Sequence, residues 1–186
     1  MIQVKLIEQK ILYDGTQLSP HWIFKNFGLL GNALVSFTGK CDVSLEKMVD
    51  QVDVQQQKSI FSENMLHFIG EFFDMELEKT ILLERLLVSL AQQEIMLRNK
   101  KCLLIRGGND LYEEDAKLSV AIATASPVST LIHFGINIDS KGTPVKTKGL
   151  NDYGIDPQTL APALLESFKH EVVSMKEARS KVRAVY

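Results

Sequence analysis

Apolar and polar positions alternate along residues 2–13, and Tyr13-Asp14-Gly15 closes the run, so this stretch predicts a strand or hairpin ending in a turn. Ser19-Pro20 then opens a short helix through Phe27, with the serine as cap and the proline at the first helical position; Gly28 and Gly31 end it. Ala33–Thr38 reads as a strand, whereas 43–58 is polar and gives no clear period. Ser62 is placed to cap a helix over 63–73, with Met65, Leu66, Ile69, Phe72 and Phe73 as its buried stripe. The clearest helix covers 79–98, where Leu83, Leu86, Leu87, Leu90 and Ala91 fall at i, i+3, i+4, i+7 and i+8. Asp156-Pro157 starts a last helix, running to about Arg179 with Leu165, Phe168, Val172 and Met175 on one side. Between these two helices lie candidate strands at 102–106, 117–124 and 130–138, followed by a polar loop over 139–154. This order predicts a single α+β domain over 1–186, built on a mainly antiparallel sheet with flanking helices.

The last two strands carry the candidate chemistry. Side chains alternate between the faces of a sheet, so Leu118, Val120 and Ile122 are expected to face the core and Lys117, Ser119, Ala121 and Ala123 to face away. On the next strand Ile132, Phe134, Ile136 and Ile138 point inward, and His133, Gly135 and Asn137 point outward. A register centred on Pro127 sets Ala121 opposite His133, Ser119 opposite Gly135 and Lys117 opposite Asn137. The outcome is a strip of small and polar side chains, with room for a ligand near the backbone. Lys117 offers a cation for a carboxylate or phosphate, and Asn137 offers both a donor and an acceptor. Arg106-Gly107-Gly108-Asn109-Asp110 precedes the strip as a turn, and Arg106 is expected to reach the same strip as Lys117. The bland reading is a wet sheet face beside an ordinary hairpin turn, and the pattern alone leaves both open. His67, set on the apolar stretch 63–73, reads as a packed core histidine rather than a catalyst, and Glu113-Glu114-Asp115 as a solvated hairpin tip.

Composition narrows the class. Of 186 residues, 45% are hydrophobic and 24% charged, which is enough to build a core. The net charge is −2 and the pI about 6.1, which argues against a general nucleic-acid binder. Cys41 and Cys102 form no spaced metal motif and imply no disulfide, and the four histidines are too scattered for a zinc site. No apolar run approaches the roughly 18 residues of a membrane span, and no leader is evident, so a cytoplasmic protein without membrane or nucleic-acid partners is expected. The edge strands of such a sheet are compatible with a homodimer.

Three short motifs bring in a family. Arg106-Gly107-Gly108-Asn109-Asp110, Lys117-Leu118-Ser119-Val120 and Gly135-Ile136-Asn137-Ile138 resemble the Lys-Trp-Pro-Asn-Asp, Lys-Leu-Ala-Gly and Gly-Ile-Asn-Val motifs of biotin and lipoate protein ligases, which share the class II aminoacyl-tRNA synthetase fold. Nearly the whole chain also resembles a microbial domain-of-unknown-function family grouped with that superfamily, on Met65-Leu66-His67-Phe68-Ile69 and Ile132-His133-Phe134-Gly135-Ile136-Asn137. The resemblance implies that Lys117 contacts an acid and its activated form; with the strip read from the strands, Arg106 is expected to assist, and Asn109, Asp110, Ser119, His133, Gly135 and Asn137 to lie at the ligand. It also implies ATP as co-substrate; composition and spacing by themselves name no cofactor. The chain departs from the ligases over roughly 55–75, where a Gly- and Arg-rich adenylate loop is missing, and no cysteine nucleophile falls in the hairpin. Two functions therefore stay open: a ligase- or acyltransferase-like enzyme acting on a small carboxylic acid, and a non-catalytic binding relative.

Overall fold

The computed structural model describes residues 2–140 and 145–185. The predicted loop 139–154 thus lies partly outside the described residues. A five-stranded sheet forms the centre of the fold. Its order is β1 (Gln3–Leu6), β2 (Ala33–Val43), β3 (Ile60–Phe72), β8 (Thr130–Asn137) and β7 (Ser119–Ala125). Only the β1–β2 pair is parallel. A second, three-stranded antiparallel sheet joins β4 (Ile105–Gly107), β5 (Asp110–Glu113) and β6 (Ala116–Lys117).

Two long helices, α3 (Leu77–Arg98) and α4 (Pro157–Ser180), cover one face of the central sheet. Each presents an apolar stripe: Leu83, Leu87, Ala91 and Ile95 from α3, and Leu160, Leu164, Phe168 and Val172 from α4. These pack on Leu66, Phe68 and Phe72 of β3 and on Ile132, Phe134 and Ile136 of β8. Asp156 caps α4 by accepting a hydrogen bond from the Gln158 amide at 3.0 Å. The opposite face has its own core, in which Val35, Phe37, Met65 and Ile69 meet Ile23 of the short helix α1 (Trp22–Phe27), Tyr13 and Met48. The polar stretch after β2 forms a 3-10 turn at Leu45–Lys47 and the five-residue helix α2 (Gln51–Gln55).

The structure corrects three expectations. Residues 63–73 are not a helix but most of the central strand β3, paired on both sides. A strand buried on both faces reads as a continuous apolar run, so the alternation that would identify it is lost. Next, the candidate strand at 102–106 is reduced to Ile105–Gly107, ahead of which Cys102 and Leu104 are buried while Leu103 and Ile105 face solvent. Finally, the β7–β8 register is one residue away from the expected one, with Ser119 opposite Ile136, Val120 opposite Gly135 and Ile122 opposite His133. Continuous pairing breaks at Leu118, between β6 and β7, and Leu118 and Ser119 both turn inward and are fully buried. The alternation of β7 is inverted as a result. Ala121 and Ala123 pack toward the helices, where α3 crosses β7, and Val120 and Ile122 look to the other side.

Candidate functional site

On the face away from α3 and α4, a cavity of about 600 Å³ opens over β3, β8 and β7. Its apolar surface comes from Tyr13, Val43, Met65, Val120 and Ile122. One side is formed by Asn109, Asp110 and Lys117 of the small sheet and its turn, and the far side by the segment between β2 and β3, including Lys47, Asp50, Asp53 and Lys58.

Lys117 and Asp110 are an ion pair at 2.6 Å, both largely buried. The pair arises because β5 and β6 are successive strands of one tight hairpin, whose tip at Glu114 adopts a positive φ. Burial alone would lower the Lys117 pKa, but the Asp110 carboxylate beside it outweighs that and holds the ammonium above its usual range. Asp110 is shifted up as well, because burial penalises its charged form by more than Lys117 recovers. Its Oδ1 is buried with no hydrogen-bond partner among the described residues. Asn109 ties this corner to β7 by donating from Nδ2 to the Ala121 carbonyl.

Beneath Asn109 and Asp110, on the helix side, lies Glu84 of α3, 2% exposed and with an orphaned Oε1. Burial raises its carboxyl to about 7, against the opposing contact from Asn109. Also at the cavity, His133 Nε2 meets His67 Nδ1 at 3.1 Å, and His67 Nε2 meets the Gly39 carbonyl at 3.3 Å. Tyr13 stacks on His133 with ring centroids 3.7 Å apart. Burial keeps both imidazoles neutral, with His67 lowered to about 3 and His133 well below its ordinary value.

Several expected site residues thus surround one cavity: Lys117, His133, Asn137, Asn109 and Asp110 line it. Three others do not take their expected places. Arg106 is exposed, and its guanidinium donates to the Gly108 carbonyl of the turn and does not line the cavity. Ser119 is fully buried, and its Oγ accepts a hydrogen bond from the Leu111 amide at 2.9 Å, joining the two sheets. The space over Gly135 belongs not to a ligand but to Met65, whose Sδ sits where a Cβ would stand. Lys146 and Lys148 pair with Asp115 and Glu113. Sequence reasoning missed Tyr13, Met65 and the His67–His133 contact. Reading 63–73 as a strand would have placed His67 beside His133, since the two strands are neighbours with His67 opposite Gly135. No group of three or more His, Cys, Asp or Glu suited to a metal ion occurs among the described residues, and none of their helices is long and apolar enough to cross a membrane.

The architecture has known counterparts. A protein of unknown function from Pyrococcus horikoshi superposes with a TM-score of 0.92 at 36% identity, with all of both chains covered. The biotin protein ligase of Aquifex aeolicus in complex with biotin and ATP matches with a TM-score of 0.64 at 16% identity, over 93% of this chain and 72% of the ligase. A candidate lipoate protein ligase from T. acidophilum, with bound lipoic acid, matches with a TM-score of 0.58 at 11% identity, over 91% of this chain and 85% of its own. At such identities the ligases share the fold, and the α+β architecture here is theirs. An uncharacterised protein of Methanocaldococcus jannaschii is 41% identical over 160 residues, covering 83% of this chain and 72% of that protein. The model of the family described as a domain of unknown function, DUF366, matches residues 2–183, and the chain belongs to that family.

Proposed function

We propose that the cavity binds a small carboxylic acid, or its activated form, for a ligase- or acyltransferase-like reaction. The observation that carries this reading is the charged, partly buried Lys117 at the wall of a largely apolar cavity of about 600 Å³. A cavity of that size suits a small organic molecule, with the apolar surface holding its body and a few polar groups fixing its orientation. An entering carboxylate accepts hydrogen bonds from Lys117 in place of Asp110, and Asp110 keeps the ammonium charged until then. Charge that builds on the acyl oxygen during transfer meets the same cation, where a fixed charge in a dry site acts most strongly. The side-chain amide of Asn137, on the cavity wall, orients the head group. The fold shared with ligases that hold biotin and lipoic acid supports the same substrate class.

A second reading, binding without chemistry, is favoured by the segment between β2 and β3. It brings Asp50 and Asp53 to the cavity beside Lys47 and Lys58, and it carries no Gly/Arg-rich loop of the kind that folds over an adenylate. One experiment separates the two. Thermal melting is followed with biotin, lipoate, octanoate and ATP, singly and as acid plus ATP, because a ligand bound to the native state raises the Tm. The proposal expects an acid to raise the Tm, with Lys117→Ala weakening its affinity about ten- to a hundredfold, the worth of one charge-assisted hydrogen bond. Pyrophosphate release with acid plus ATP supports the enzyme. Acid binding without turnover, with ATP or with an activated acyl thioester, supports the binder. Equal affinity in Lys117→Ala would overturn the assignment of the acid to this corner.

A further inference from the structure

The two buried histidines carry information about the ligand, because their proton positions are dictated from one end. A carbonyl oxygen can only accept, so His67 Nε2, facing the Gly39 carbonyl at 3.3 Å, must carry its hydrogen. A neutral imidazole has one N–H, so His67 Nδ1 is bare and can only accept. His133 Nε2, 3.1 Å away, must therefore be the donor. That leaves His133 Nδ1 with a lone pair and no hydrogen. No hydrogen bond to it is formed among the described residues. His133 lines the cavity. Its ring is held in place by Tyr13 on one face and by His67 at the edge.

We propose that the Gly39–His67–His133 relay fixes His133 Nδ1 as an obligate hydrogen-bond acceptor on the cavity wall, and that the ligand is an acid carrying an N–H or O–H donor on its apolar body. The acid half rests on the function proposed above; the donor half does not. Selectivity follows from asymmetry. A ligand with a donor satisfies the nitrogen, whereas a plain alkyl chain strips water from it and returns nothing. Lys117 and His133 stand on different strands, and Asn137 is four residues from His133 along β8, about 13 Å at the usual strand rise. The donor therefore sits well away from the Asn137 amide.

The first test needs no ligand and no variant. Long-range ¹⁵N–¹H correlation spectra of histidine-labelled protein read each ring's tautomer. Both histidines are expected with Nε2 protonated and Nδ1 bare; a proton on His133 Nδ1 overturns the proposal. The second test uses phenol and fluorobenzene, which match in shape and differ in the donor. Phenol is expected to move the His133 Nδ1 resonance and fluorobenzene to leave it; equal effects, or none, overturn the proposal. The third compares chain-length series of ω-hydroxy and ω-carbamoyl alkanoates with plain alkanoates, which tells a hydroxyl donor from an amide donor. A donor-bearing acid is expected to bind about three- to tenfold tighter than its plain match, the worth of one net hydrogen bond, and His133→Phe is expected to erase the difference. Plain acids binding as well as their partners overturn the proposal. Phenol moving Nδ1 while no acid binds upholds the acceptor and fails the carboxylic-acid reading alone.

Discussion

Single atoms decide much of this site. Gly39 shows how: its carbonyl sets the tautomer of His67, and its missing side chain lets the chain at Ile11 lie against β2. A Cβ at this position would collide with the Ile11 carbonyl, a backbone group that cannot rotate away. Gly39→Ala is therefore expected to destabilise the fold by about 2–3 kcal/mol or more, read as a lower urea midpoint at an unchanged slope. Gly135 presents a milder case, since its neighbour is the Met65 side chain, which can move. Lys117, Asn137 and Asp110 could be picked out from alternation and turn chemistry, because those signals are local. The roles of Tyr13 and His67 could not. Tyr13 reaches His133 from a segment far away in sequence, and His67 lies in a stretch whose apolar run conceals its strand character.

At the scale of elements, helices α3 and α4 hold the sheet from behind and so set the back wall of the site. Their positions follow from local patterns that a single helix can satisfy: a wide apolar stripe, an Asp cap and Pro at the first position of α4. Asp156→Ala removes the cap that accepts the Gln158 amide and is expected to cost about 1 kcal/mol, seen as a small drop in Tm with the fold unchanged by circular dichroism. The strands are less self-contained. β8 shows its two faces plainly in its sequence. The adjacent β7 does too, but the two faces come out exchanged, because the break at Leu118 shifts the pairing by one residue. Small side chains at Ala121 and Ala123 pack against the helix core, where α3 crosses β7. Val120 and Ile122, which look like core, form the cavity wall.

For the whole molecule, the core under the helices and the polar corner of the cavity meet at Glu84. This carboxyl belongs to α3 but faces Asn109 and Asp110 of the small sheet, with Arg85 next to it in the chain. Its pKa is raised from an ordinary 4.5 to about 7, so the native state binds its proton more tightly than the unfolded chain does. Stability then falls as pH rises from about 4.5 to about 7 and stays reduced above that range. Glu84→Gln keeps the shape and removes the titration. It is expected to flatten that slope, raising the Tm relative to wild type at pH 8 and giving little gain at pH 4; the same slope in both proteins would show that another group is responsible.

What the chain determined by itself were the elements whose stabilising pattern is local: the helices at 77–98 and 157–180, the two faces of β8, and the turn carrying Asn109 and Asp110. Only the tertiary structure decided that 60–72 is a central strand, that β7 pairs one residue out of the simplest register, and that two histidines 66 residues apart share one proton relay. The physical reason is that periodicity records how many faces of an element are buried, and not which partner buries them. A strand covered on both sides loses its period, and a register is a property of two strands that no single segment contains.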